Sequence, residues 1–241
     1  MNFRELIGGL AAILIGGYEL AVAQDAQTRS RDGMVKNQLM AGGITNPEVL
    51  QAMAEVPRHE FVPAAMRPFA YVNGPLPIGH GQTISQPFIV AYMTQALELT
   101  NHDRVLEVGT GSGYQAAILG KLCKEVYTIE IVPDLAESSK QLLARLGFEN
   151  VHVKAGDGYL GWPEKAPFDA IIVTCAPDHV PEPLVNQLKE GGRLIIPVGE
   201  EGTIQQLVLL RKRDDKIIRE NKLDVRFVPM TGKATNGLTD E

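Results

Sequence analysis

Residues Leu106 to Tyr114 read LEVGTGSGY, and the short apolar run leading into them decides the fold. Arg104 to Val108 is compact and apolar enough for a buried parallel strand, and Tyr114 to Leu122 has helical spacing. Gly109, Gly111 and Gly113 therefore lie at a strand-to-helix turn. There the backbone must bend sharply and let a ligand approach without a Cβ in the way. A dinucleotide fingerprint, GxGxxG, would need a third glycine at position 114, where this chain has Tyr114. It would also hold a pyrophosphate on helix N-terminal amides. Here Glu107 stands two residues before Gly109. A carboxylate at that point is misplaced for gripping phosphate and suits a cationic ligand such as a sulfonium amino acid. The alternative is that Glu107 only braces the glycine loop.

The surroundings extend the pattern. Glu125 to Glu130, EVYTIE, reads as a second buried strand ending in an acid, and Glu130 falls 21 positions after Gly109. Nucleotide folds accept ribose hydroxyls on an acid about 20 residues on. Val151 to Ala155 reads as a third strand running into Gly156, Asp157 and Gly158, which puts another carboxylate where open α/β sheets bind ligands. The alternative for Glu130 and Asp157 is that each caps the turn or helix that follows. Phe168 to Thr174 is a fourth strand, Pro181 to Lys189 a short helix and Gly192 to Pro197 a fifth strand. This alternation predicts an α/β fold with a doubly wound, mostly parallel sheet and right-handed crossovers. Gln206 to Leu210 and Leu223 to Val228 predict an antiparallel hairpin on one edge. Arg211, Lys212 and Arg213, followed by Asp214 and Asp215, are expected in its solvated turn. Before the core, Asn46 and Pro47 start a helix over Pro47 to Glu55, and Arg31 to Met40 has weaker helical periodicity.

Composition fits one α/β domain: 241 residues, 44% hydrophobic, with a formal charge of −6. That balance argues against nucleic acid as the partner. The five histidines show no metal-ligand spacing with either cysteine, so no metal is expected. Cys123 is expected at the far end of the helix after the glycine turn and Cys175 at the upper end of a strand, so the length of that helix separates them by roughly 15 Å, beyond disulfide reach. At the N-terminus, Leu6 to Ile15 is apolar and uncharged, Arg4 precedes it, and Ala21, Val22, Ala23 resembles a signal-peptidase site. Glu5, the interspersed glycines and Glu19 speak against export. A signal peptide, a cytoplasmic extension and an early start codon all remain open, and no stable membrane span is expected.

Leu76 to Met93 reads LPIGHGQTISQPFIVAYM. Its prolines and glycines predict an irregular stretch from Pro75 to Gly81, and Pro87 fits the first turn of a helix running to about Leu99. Gln86 is then the cap, and the hydroxyls of Ser85 and Thr83 are free to face a ligand. The equally weighted alternative is that Ser85 caps the helix itself.

From about Val35 to Gly232 the chain resembles the protein-L-isoaspartate (D-aspartate) O-methyltransferases. The segments that carry the likeness are VPRHEFVP (Val56 to Pro63), LPIGHGQTISQP (Leu76 to Pro87), VLEVGTGSGYQAA (Val105 to Ala117), GDG (Gly156 to Gly158), PFDAIIVTCAP (Pro167 to Pro177) and VRFVPMTG (Val225 to Gly232). The glycine turn alone indicates a class I methyltransferase, while the TISQP and VRFVP segments are much more specific. The resemblance implies S-adenosylmethionine as methyl donor and, as acceptor, the free α-carboxylate of an isoaspartyl residue in a damaged protein. D-aspartyl sites are left open. Ser85 is implied as the catalytic-site serine, and Thr83, Ser85, Val228 and Pro229 as substrate contacts. Glu107, Gly109, Thr110, Gly111, Gly113, Glu130, Asp157 and Gly158 form the expected cofactor site.

Such chemistry needs few residues. An α-carboxylate with a pKa of about 3.5 is already ionised at neutral pH, so no general base has to make the nucleophile. Ser85 is therefore expected to orient the carboxylate and not to attack. The expected organisation is an apolar segment at 1–25, a substrate-side addition at 26–100, a methyltransferase core with its hairpin at 101–232, and a flexible tail at 233–241. A monomer is expected, cytoplasmic by the resemblance and periplasmic if the first segment is a signal peptide. Two rivals remain: a class I methyltransferase with another acceptor, and an exported, non-catalytic peptide-binding module. Retention of Glu107, Glu130 and Asp157 weighs against the second.

Overall fold

The computed structural model describes residues 26–233. The apolar N-terminal segment and all but the first residue of the C-terminal tail lie outside them. A helix, α1, covers 26–34 and continues as a π-helical turn at Val35–Met40. Helix α2 (Pro47–Glu55) begins where Asn46 accepts the amides of Glu48 and Val49 at 2.9 and 3.1 Å, with proline in the first turn. Two short 3₁₀ turns lead to β1 (Leu76–Gly79) and β2 (Gln82–Ile84), and then to α3 (Pro87–Ala96). The remainder alternates: β3 (Arg104–Val108), α4 (Tyr114–Leu122), β4 (Glu125–Glu130), α5 (Pro133–Arg145), β5 (Val151–Ala155), β6 (Phe168–Val173), α6 (Glu182–Asn186) and β7 (Leu188–Val198). The hairpin β8 (Gln205–Arg213) and β9 (Lys216–Val225) closes it.

Seven strands form one sheet in the order β5-β4-β3-β6-β7-β8-β9. The first five pair in parallel and the last two are antiparallel, so the doubly wound sheet with an edge hairpin holds as predicted. Strand β3 has β4 on one side and β6 on the other, which makes its C-terminal end the point where strand order reverses. The central strands β3, β4 and β6 are buried on both faces. Leu106, Val108, Ile171 and Val173 join one apolar cluster, while Val105, Ala170 and Ile172 join another on the opposite face. A third cluster, with Met53, Phe61, Tyr114 and Ile118, binds the N-terminal helices to α4. There Arg58, fully buried, lays its guanidinium 4.9 Å over the Tyr114 ring and donates to the Ala70 carbonyl at 2.8 Å. Among the described residues no helix is long and apolar enough to cross a membrane. Cys123 and Cys175 are both free.

Four local expectations need correction. Pro75 to Gly81 is not irregular: Leu76–Gly79 pairs with Gln82–Ile84 as a hairpin, with His80 and Gly81 at φ 53° and 70° in a tight turn of the left-handed kind. Arg211, Lys212 and Arg213 are strand and not turn, because the turn is made by Asp214 and Asp215 at φ 52° and 55°. The partner strand accordingly starts at Lys216 and ends at Val225, before Phe227 and Val228. Helix α3 stops at Ala96, where Arg193 takes the carbonyls of Leu97 and Glu98 at 2.7 and 3.0 Å. Finally, Leu188 and Lys189 belong to β7 and not to the preceding helix, which is only five residues long.

Candidate active site

The turn after β3 is built as its glycines require. Gly109, Gly111 and Gly113 have φ of 97°, 52° and 86°. A Cβ on Gly109 would collide with Thr174 Oγ1. The amides of Gly109 and Thr110 both donate to the Ile129 carbonyl, at 2.9 and 3.2 Å, which fastens the turn to β4. Thr174, just past β6, fastens it from the other side by donating its hydroxyl to the carbonyls of Val108 and Gly109 at 3.0 and 2.7 Å. Gly158 is needed for a close approach, since a Cβ there would enter the Val108 side chain.

A cleft opens at this switch point. Its wall includes Glu107, Gly109, Thr110, Gly111, Tyr114, Gln115, Glu130 and Gly158, closed over by Thr83, Ser85 and Val228–Thr231. Glu130 accepts the Gly111 amide at 2.7 Å on one oxygen and the Val132 amide at 2.9 Å on the other, leaving further lone pairs for hydroxyl donors. Glu107 is fully buried, yet among the described residues neither of its oxygens has a hydrogen-bond partner. Burial pushes its carboxyl up to about 8, and the charge of Glu130 adds to that. The nearby Thr128 hydroxyl, itself 2.6 Å from that of Thr110, opposes the shift from beside the carboxylate without reaching hydrogen-bond geometry with it. An orphaned buried carboxylate facing a cleft is costly unless a cationic or donor-rich ligand satisfies it.

Ser85 lies between β2 and the Gln86 cap of α3, so the cap position falls to Gln86, whose side chain makes no cap bond. Among the described residues the Ser85 hydroxyl has no partner. A second cleft lies beyond it, lined by Pro75, Ile89, Ile204, Asp224, Arg226 and Phe227. Thr83, Ser85, Thr174 and Val228 border both clefts, so they form the partition between them. The Val228 carbonyl is taken by the Ala176 amide at 2.8 Å, and Pro229 bridges to Ala176; among the described residues the Val228 N–H, which borders both clefts, has no partner.

Of the residues chosen from sequence, all but Gly113 and Asp157 reach the first cleft or its partition, though Pro229 lines only the first cleft. Gly113 instead packs toward Ser139 and Leu143 of α5. Asp157 does not line either cleft. Its oxygens accept the amides of Tyr159 and Lys233, each at 2.9 Å, which is the capping alternative. Thr174, Gln115 and Cys175 were missed. Thr174 and Cys175 could have been found from their position, at and just beyond the end of a buried strand next to the switch point. Gln115 sits inside an apolar helix and carries no such signal. Burial pushes the Cys175 thiol up to about 12, so it is an un-ionised wall and not a nucleophile.

The sequence profile described as protein-L-isoaspartate(D-aspartate) O-methyltransferase (PCMT) matches residues 29–235. The chain belongs to the protein-L-isoaspartate O-methyltransferase family. It is 55% identical over 228 residues to such a methyltransferase from Opitutus terrae, covering 95% of this chain and 98% of that one. A Picosynechococcus methyltransferase of the same description is 53% identical over 208 residues, covering 86% and 93%. A solved protein-L-isoaspartate O-methyltransferase superposes with a TM-score of 0.77 at 34% identity, over 86% of this chain and 67% of that one. A Plasmodium falciparum structure so described, in complex with S-adenosyl-L-homocysteine, gives 0.73 at 30% identity, over 83% and 98%. The isoaspartate methyltransferase fold thus spans nearly all the described residues.

Proposed function

We infer that the chain is an S-adenosylmethionine-dependent protein-L-isoaspartate O-methyltransferase, acting on the α-carboxylate of isoaspartyl residues in damaged proteins. The observation that carries this is the pair of clefts meeting at Thr83, Ser85, Thr174 and Val228, one of them walled by an orphaned carboxylate. The cofactor supplies a methyl group on a sulfonium, already activated for transfer. Glu107 meets its positive end, Glu130 takes ribose hydroxyls, and the glycine turn with Thr110 and Gly158 lets it lie against backbone. Asp157 supports that wall by holding Tyr159 and Lys233 in place.

On the acceptor side the partition offers donors and no base. The Ser85 hydroxyl and the Val228 N–H are the two groups placed to hold an anionic carboxylate, with Thr83 beside them. Pro229 fixes the loop through its bridge to Ala176. Orientation and exclusion of water are then the enzyme's contribution. Normal aspartate carries its carboxylate on the wrong arm and fails at this step. The ester leaves as product and closes to a succinimide without further help. We place the enzyme as a monomer in a compartment supplied with S-adenosylmethionine, which favours the cytoplasm.

Labelled S-adenosylmethionine with a matched isoaspartyl and aspartyl peptide pair tests this. Methylation of the first alone is expected, and methylation of both or of neither would refute the assignment. N-terminal sequencing of the mature protein checks the compartment, with a cut after Ala23 pointing to export.

A further inference from the structure

The second cleft holds more than space for a carboxylate. The unbroken run from Asp224, near the end of β9, to Val228 borders it, and within that run Val225 is buried between Asp224 and Arg226. In the middle of the hairpin Arg211 pairs with Glu98 at 2.8 Å and with Glu220 at 3.2 Å, and Lys222 pairs with Glu220 at 2.7 Å, whereas Arg213, Lys216 and Arg219 near its turn make no ion pair among the described residues. Asp224 and Arg226 are exposed, and among the described residues neither side chain has an ion pair. The same cleft is lined by Pro75, Ile89 and Phe227, with Ile204 at 59% exposure. An apolar floor beside two unpaired, opposite charges, continuous with the Ser85 partition, matches an extended polypeptide better than a small acid.

We propose that this cleft reads the side chains flanking the isoaspartyl residue, and that Arg226 and Asp224 select them by charge. This rests on the acceptor assignment above. An extended chain advances about 3.3 Å per residue, so Arg226, two residues from the carboxylate-holding Val228, faces a side chain about two positions from the isoaspartyl. Asp224 faces one about four positions away. Arg226 therefore favours an acidic neighbour and Asp224 a basic one further out. The acceptor is in this view a damaged segment with a defined charge order.

Matched isoaspartyl peptides carrying Glu, Gln or Lys at the second position, on the N- or C-terminal side, decide it. For the full chain, kcat/KM is expected to favour Glu over Lys about three- to fivefold on one side, the size of an exposed ion pair, and less at high salt. Arg226→Glu should reverse the order and Arg226→Gln erase it, while Asp224→Lys should change only the fourth position. An unchanged order in Arg226→Glu and Arg226→Gln, each still stabilised by S-adenosylhomocysteine, overturns the proposal. Peptide affinity is read separately by fluorescence anisotropy with S-adenosylhomocysteine bound. Charge-ordered binding without methylation would keep the cleft assignment and remove the acceptor one. Methylation with no charge order would do the reverse, and neither binding nor methylation would overturn both.

Discussion

Ser85 and Glu107 show how little chemistry resides in single side chains here. If Ser85 only orients the carboxylate, Ser85→Ala should lower kcat at least tenfold and change S-adenosylhomocysteine affinity less than twofold. Equal losses in both would contradict that role, and a methylated Ser85 trapped in turnover would make it a nucleophile instead. Glu107 makes a pH prediction. It ionises near 4.5 in the unfolded chain and at about 8 in the folded one. Between those values the folded protein keeps a proton that the unfolded chain has released. Its contribution is therefore full below pH 4.5 and is lost as the pH rises through about 8. In the ligand-free protein, Glu107→Gln should gain in melting temperature over the parent as pH goes from 5 to 8, and a constant difference would refute the shift. Glu107 was legible in the sequence as an acid before a glycine turn, but whether it braced the loop was not. Only packing reveals that its oxygens are unpartnered.

At the scale of elements, helix α3 and the hairpin β1–β2 place Ser85 between them, and α3 is held at its far end by Arg193. That guanidinium takes the Leu97 and Glu98 carbonyls and also Asp103 at 2.8 Å, in a largely buried setting. Arg193→Ala strands two carbonyls and part of a carboxylate, so a loss of about 2–4 kcal/mol in urea unfolding is expected. Arg193→Lys should recover only part, because one ammonium cannot span all three acceptors. No loss in Arg193→Ala would show the clip to be dispensable. The start of α3 was readable from Pro87, whose ring fixes φ locally. Its end was not, because the residue that stops it lies in β7.

Across the whole molecule, segments 82–85 and 228–231 approach the cofactor cleft from opposite ends of the chain and both close over it. Bound S-adenosylhomocysteine should therefore raise amide-exchange protection in both together, and protection confined to one would break the two-sided site. Strands β3 to β5 and helix α4 could be read to the residue, and β6 to within one. Of these, β3, β4, α4 and β6 are buried and dictated by local runs of mainly apolar residues, while β5, VHVKA, is a half-exposed strand marked by its valines and the glycine that follows it. Glu130, the glycine turn and the doubly wound, mostly parallel sheet followed from the same local grammar, whereas the strand order did not. The hairpin β8–β9 could not be read this way. Arg211 was taken for a turn residue, but its partner Glu98 is 113 positions away, and no local window contains that pairing. The same holds for the partition of the active site. Burial and backbone geometry are imprinted residue by residue, whereas Thr83, Ser85, Thr174 and Val228 become one wall only when three distant segments meet at the switch point of the sheet.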